Sequence, residues 1–193
     1  MSLMNTENIL RPINYPDTVA GNSTSIIDDT AIINVMGVFG LPSTPFNPFL
    51  RLEEEITSLK NNKIQNIIID VHAEATSEKR AVYQMFKDEV NIIYGTHTHI
   101  GTDDLEIYNN RCSYVSDIGM TGSLDGIIGM DQANPIKRFK EGVSNALDVV
   151  KESNNNIFQF LVIDLEDSLI KSAQKIKLYT KDNQKIISTA VNL

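Results

Sequence analysis

Three histidines carry the most chemistry in this 193-residue chain, and there are only three: His72, His97 and His99. Each follows an apolar, strand-like run. Residues 67–71 read I-I-I-D-V ahead of His72, and residues 90–96 read V-N-I-I-Y-G-T ahead of His97. Neutral imidazole is a common ligand for zinc, iron, manganese and other first-row ions. His97 and His99 lie two apart, so on a continuing strand both rings point to one side. That spacing suits two ligands on one metal, or one on each of two neighbouring metals. Asp70, Glu74, Asp103 and Asp117 are candidate acceptors for the outer ring N–H groups. Three imidazoles also suffice for a mononuclear zinc site with one open position. Against these stands a plain structural role, with one buried, hydrogen-bonded histidine and two exposed ones.

The elements around the histidines favour convergence. Between the two apolar runs, residues 76 to about 89 read as a helix, with Thr76 or Ser77 as its cap and Glu78 in its first turn. Val82, Met85 and Phe86 face a sheet. Strand, helix and strand of this length make a right-handed parallel βαβ unit. Both strands then end on one sheet edge, where α/β proteins build their sites. Upstream, residues 1–30 read as loop and residues 31–38 as a buried strand. Asn47 and Pro48 open a second helix, with Phe49, Leu52, Ile56 and Leu59 as its apolar stripe. Glu53, Glu54 and Glu55 lie toward its positive end and Lys60 toward its negative end. Residues 105–108 and 112–116 read as a hairpin turned at Asn109 and Asn110. A glycine-rich loop covers residues 119–131, and a short helix runs from Asn134-Pro135 to about Gly142. Residues 157–165 and 173–180 read as antiparallel strands.

Composition narrows the function. Hydrophobic residues make up 41% and charged residues 22%, with a net charge of −8. This suits one soluble domain spanning residues 1–193, with residues 1–7 a tag remnant or disordered. The acidic balance argues against DNA as a partner. The only basic run, Lys137-Arg138-Phe139-Lys140, reads as a solvated helix side. No apolar run is long enough to span a bilayer and no signal-peptide pattern opens the chain, so the expected location is cytoplasmic, with no membrane partner. The single cysteine, Cys112, reads as a buried inert thiol.

Several ordered motifs then resemble one family. Residues 69–79, I-D-V-H-A-E-A-T-S-E-K, resemble the D-[FV]-H-A-E-A-T-S-E-K motif of the YmdB-type metallophosphoesterases, within the calcineurin-like phosphoesterase superfamily. Residues 95–99 resemble their G-T-H-T-H motif, residues 116–122 their T-D-[VI]-G-M-T-G motif, and residues 125–131 the loop that follows. Residues 11–16 resemble their R-P-x-N-[FY]-P motif. The resemblance implies an α/β fold, a four-layer α/β/β/α sandwich. It implies two transition-metal ions, iron or manganese, and hydrolysis of phosphodiesters, with cyclic nucleotides, including the 2′,3′-cyclic type, as substrates. By motif, His72 and His97 would bind one metal and His99 the other. Asp70, Glu74 and Asp117 would support them, and Thr98, Thr121 and Gly122 would contact substrate.

Members of that family begin with a G-D-[VI]-x-G strand, an N-G-E-N strand and a G-N-H-[TV]-W-D turn. Those motifs supply further metal ligands and the histidine that acts as general acid. This sequence reaches the R-P-x-N-[FY]-P motif almost at once. The expectation is therefore a C-terminal portion of such an enzyme, incomplete on its N-terminal side, with no general acid assigned. It would hold at most one metal firmly and expose an open sheet edge that favours a homo-oligomer. Two other readings stand beside it: an inactive binding or oligomerisation module, and a mononuclear three-histidine zinc hydrolase.

Overall fold

The computed structural model describes residues 9–142 and 146–193; residues 1–7, expected as a tag or disordered, lie outside them. The strand pattern around the first histidine sets the architecture. β3 (Asn66–His72) turns Ile67, Ile69 and Val71 to one face and Ile68, Asp70 and His72 to the other. It lies between β2 (Thr30–Met36) and β4 (Ile92–Thr96), parallel to both. Register puts Asn34 beside Asp70, and Met36, His72 and Thr96 in one row. The expected parallel βαβ unit is present, and its strands end on one edge.

Two helices cover the Ile69 face. In α1 (Pro48–Asn61) the Asn47 side chain accepts from the N–H groups of Phe49 and Leu50, and Leu52, Ile56 and Leu59 are buried. Each fully buried aliphatic side chain contributes about 1.5–3 kcal/mol. The Glu53–Glu55 triplet lies beyond the first turn, so it does not serve the helix dipole as expected; Glu55 instead accepts from the Thr24 hydroxyl at 2.6 Å. α2 (Thr76–Phe86) buries Val82, Tyr83 and Phe86. Its N-cap is Ala75, without a side-chain bond, rather than Thr76 or Ser77. Glu78 reaches outward and accepts from the backbone N–H of Val38 at 2.9 Å and of Phe39 at 3.2 Å, which ties the helix start to the loop after β2. The helix stops at Phe86, short of the expected Glu89.

The large sheet has seven strands. β1 (Thr24–Ile27) forms a hairpin with β2, and β5 (Glu106–Tyr108) and β6 (Cys112–Val115) form the expected hairpin on the far side of β4. Cys112 is buried there. A four-stranded sheet lies over the second face. It contains β7 (Gly122–Ser123), β8 (Asn156–Glu166), β9 (Leu169–Tyr179) and β10 (Gln184–Thr189), in the order β10-β9-β8-β7. The last strand, β11 (Val191–Asn192), returns to pair with β5. Leu105, Ile107, Val115, Ile170 and Ala173 form a small core between the sheets. Short α3 (Ala133–Glu141) leaves its basic run exposed, and Phe139 with it.

Four strands lie outside the expectation. β1 and β7 lie in stretches expected to be loop, and β10 and β11 lack long apolar runs. In β8 the more buried face carries Ile157 and Gln159, while Phe158 is 46% exposed. Beside β8, β7 pairs only with Ile157 and Asn156. Among the described residues, Phe158 to Glu166 therefore pair on one side alone, with β9. A cavity of about 420 Å³ lies between the sheets, lined by Ile32, Ile68, Ile92, Tyr94, Phe160 and Leu161 among others.

Candidate metal centre

His72 is the last residue of β3 and Thr96 the last of β4, opposite each other in register. Thr96 Oγ1 lies 2.8 Å from Asp70 Oδ1 and 3.1 Å from His72 Nδ1. Asn34 Nδ2 donates to the other Asp70 oxygen at 2.9 Å. With Asp70 ionised, the Thr96 hydroxyl donates to it and accepts from His72 Nδ1–H. That chain leaves the lone pair of His72 on Nε2. Burial raises the Asp70 carboxyl above its ordinary range, against the hydrogen bonds from Thr96 and Asn34 that lower it. Burial, and then the facing His97, pushes the His72 imidazole below its ordinary range, which favours a neutral ring.

His97 completes a pair. Its Nδ1 stands 3.2 Å from His72 Nε2, with the rings nearly perpendicular and their centroids 4.8 Å apart. Its Nε2 stands 3.2 Å from Glu74 Oε2. If Nε2 carries the hydrogen for Glu74, then Nδ1 presents a lone pair to the lone pair of His72. Only a proton or a cation between them relieves that opposition. Two nitrogens each about 2.0–2.1 Å from one ion stand roughly 2.8–3.4 Å apart at octahedral to tetrahedral angles. The observed separation falls in that range, so the pair fits a transition metal. With such an ion bound, Glu74 and the Thr96–Asp70–Asn34 chain would be the outer partners that fix each ring.

The third histidine does not join them. β4 ends at Thr96, and the backbone turns through positive φ at His97 (100°) and His99 (68°). The expected strand alternation is lost, and the two rings take different partners. His99 Nδ1 lies 2.7 Å from the Ile128 carbonyl oxygen in the glycine-rich loop. Among the described residues, no group of three or more His, Cys, Asp or Glu side chains is close enough to hold a metal ion. The chain therefore brings together two of its three histidines.

The other candidates divide in the same way. Asp70 reaches His72 through Thr96, and Glu74 lies 3.2 Å from His97. Asp103 is exposed and lies 3.7 Å from Lys177. Asp117 hydrogen-bonds no histidine ring. It is buried against Lys79 at 2.9 Å and accepts from Thr98 and Gly119. Burial raises the Asp117 carboxyl, but hydrogen bonds led by Lys79 outweigh this and hold it below the ordinary range. Thr98 commits its hydroxyl to Asp117 rather than to open space. Thr121 is exposed, and Gly122 opens β7 with open space where a Cβ would stand.

Four contributors were missed from sequence: Asn34, Thr96, Lys79 and Lys175. Asn34 and Thr96 are polar residues near the ends of apolar strands, and that position is the signal that could have found them. Lys79 and Lys175 are almost wholly buried. Lys175 Nζ donates to the carbonyls of Thr102 and Asp117. Nothing in their sequence context announces this.

The mixed α/β fold is similar to that of a solved phosphatase. A solved structure described as a novel phosphatase from Mycoplasma pneumoniae superposes with a TM-score of 0.79 at 27% identity, over 92% of this chain and 66% of that one. A hypothetical protein from Thermus thermophilus superposes with a TM-score of 0.82 at 25% identity, over 92% of this chain and 70% of that one. The YmdB-like protein family matches residues 1–178. A 2′,3′-cyclic-nucleotide 2′-phosphodiesterase of Bacillus subtilis (strain 168) is 34% identical over 180 residues, 91% of this chain and 67% of that protein. The chain belongs to the YmdB-like family, and it spans about two thirds of the length of these relatives.

Proposed function

We propose that this chain carries the histidine corner of a metal-dependent phosphodiesterase that acts on cyclic nucleotides, of the 2′,3′-cyclic type. The observation that carries the reading is the 3.2 Å approach of His72 Nε2 to His97 Nδ1, each ring held from behind. The Bacillus subtilis relative's substrate supports the nucleotide class. His72 and His97 would hold one of two transition-metal ions, iron or manganese, and this chain would hold no more than that one firmly. His99 would belong to the second. When bound, such a pair neutralises phosphoryl oxygens and supplies a hydroxide at neutral pH. The chain's own work is positional. Asp70, through Thr96, holds His72 as the Nε2 ligand. Glu74 would orient His97, and Thr121 and Gly122 would contact substrate. No residue of this chain is assigned as general acid.

The reading extends to a four-layer α/β/β/α sandwich, with the exposed outer face of the small sheet as the seat of the fourth layer. The one-sided pairing of β8 supports a homo-oligomer, since an open strand edge is a template for another strand. No helix among the described residues is long and apolar enough to cross a membrane. A cytoplasmic location and a small phosphodiester as the partner, rather than DNA or a membrane, complete the proposal.

Calorimetric titration of the purified protein with Mn²⁺, beside an assay of 2′,3′-cyclic AMP hydrolysis, tests it. We expect one firmly held ion per chain, and Mn²⁺-dependent turnover in the complete enzyme to which this histidine corner belongs. Removing either ring should exceed the ~10–100-fold loss of affinity typical of outer partners, and turnover should vanish in His72→Ala and His97→Ala. Absence of binding, or binding indifferent to both substitutions, overturns the proposal. The β8 edge also favours a second reading, an inactive binding or oligomerisation module, for which ion binding without turnover is the outcome. The three-histidine zinc reading is less favoured, because among the described residues no group of three such side chains is close enough to hold one ion.

A further inference from the structure

We propose that Lys79 and Asp117 are positioning residues: a buried ion pair that holds the 97–99 turn so that His97 faces His72. The inference rests on the metal reading of that histidine pair. Lys79 Nζ lies 2.9 Å from Asp117 Oδ2, and both side chains are 2% exposed. The same Asp117 oxygen accepts from the Thr98 backbone N–H at 3.1 Å and from the Thr98 hydroxyl at 2.8 Å. Its other oxygen accepts from the Gly119 N–H at 2.8 Å. One carboxylate thus ties α2 and the segment after β6 to the single residue between the two histidines.

That residue is where control is needed. His97 and His99 both adopt positive φ, a conformation that persists in non-glycine residues only when the surroundings over-determine it. Thr98 between them is fixed by two bonds to Asp117, and Asp117 is fixed by Lys79. Room for the pair is built into the strand. A Cβ on Gly95 would stand 2.6 Å from Lys79 Cδ and 1.7 Å from the Ser116 carbonyl oxygen. A buried ion pair contributes little stability over apolar groups of similar volume, because both charges lose their hydration. Its value here is orientation. Neither side chain hydrogen-bonds a histidine ring, so the positioning runs through Thr98.

The test compares the neutral double variant Lys79→Met/Asp117→Asn with Thr98→Val and the unaltered protein. Cooperative melting establishes folding, Mn²⁺ calorimetry reads affinity, and hydrogen exchange reads the Thr98 amide. We expect the folded double variant to lose Mn²⁺ affinity by about 10–100-fold, with faster exchange at Thr98. Thr98→Val should lose a few-fold. A folded double variant with unaltered affinity and unaltered Thr98 protection overturns the inference. If the double variant does not melt cooperatively, Thr98→Val decides, and unchanged affinity there overturns it. If the unaltered protein binds no Mn²⁺, the metal reading fails by itself. Thr98 protection and the His72–His97 nuclear Overhauser contact then decide the positioning claim separately.

Discussion

The two faces of the large sheet are packed unlike each other. On the helix side, Ile33, Ile69 and Ile93 are fully buried under α1 and α2, in one continuous core. On the opposite side, their chain neighbours Ile32, Ile68 and Ile92 border the 420 Å³ cavity beneath β8. The candidate metal centre belongs to this second, looser face, because Asp70 and His72 alternate with Ile69 and Val71 along β3. The tight face supplies stability, and the loose face presents chemistry. Rigid support behind an accessible site is how strand ends hold ligands in place.

The sharpest way to break this contrast is at glycine. Gly95 lies on the tight side, where an added Cβ would meet the Ser116 carbonyl oxygen at 1.7 Å; Gly122, on the small sheet, has open space there. A backbone clash cannot be relieved by a change of rotamer. We expect Gly95→Ala to cost more than ~3 kcal/mol, beyond the usual range for overpacking, and Gly122→Ala to stay within about 0.5 kcal/mol. Urea unfolding followed by circular dichroism measures both. Equal losses would show that the two sides are not differently packed.

Neighbouring isoleucines of β3 give the next effect. Ile69→Ala removes a fully buried side chain and should cost about 2–5 kcal/mol. Ile68→Ala trims a side chain already beside open volume, and should cost less than about 1.5 kcal/mol. A similar cost at both positions, read from urea midpoints, would mean that the cavity is closed over in solution.

The same contrast explains what the sequence could reveal. Alternating apolar residues and a capped, striped helix report burial, so the tight face was legible: the parallel βαβ unit, the α1 stripe and buried Cys112 are where periodicity put them. The site was legible in part. His72 and His97 meet because strand ends converge, which order along the chain predicts. His99 takes a different partner because its neighbourhood leaves strand geometry at Thr96, and a threonine-histidine alternation carries no mark of positive φ. Asp117 was read as a carboxylate for a histidine and is instead held by Lys79. Its partner depends on the path of a helix relative to a strand distant in sequence, which no local pattern encodes. β10 and β11 escaped notice because an exposed edge strand needs no apolar face.

Buried lysines sharpen the comparison at its smallest scale. Lys79, on the tight side, meets a carboxylate, whereas Lys175, between the sheets, donates only to the carbonyls of Thr102 and Asp117. Burial, reinforced by nearby Lys177 and opposed by Asp103, Asp104 and Asp117, pushes the Lys175 ammonium down from its ordinary 10.5 to about 8. Between these two values the unfolded chain binds the proton more tightly than the folded one. Stability should therefore rise with pH from about 8 to 10.5, and the gain should be lost as pH falls through 8. For a single proton the slope is at most about 1.4 kcal/mol per pH unit. Other groups titrate in the same window, so the measurement is a difference between the unaltered protein and Lys175→Met across urea unfolding curves from pH 7.5 to about 10.5. The substitution should remove the rise while leaving the rest of the profile parallel. Parallel profiles throughout would mean that Lys175 reaches water, and that the space between the sheets is hydrated rather than dry.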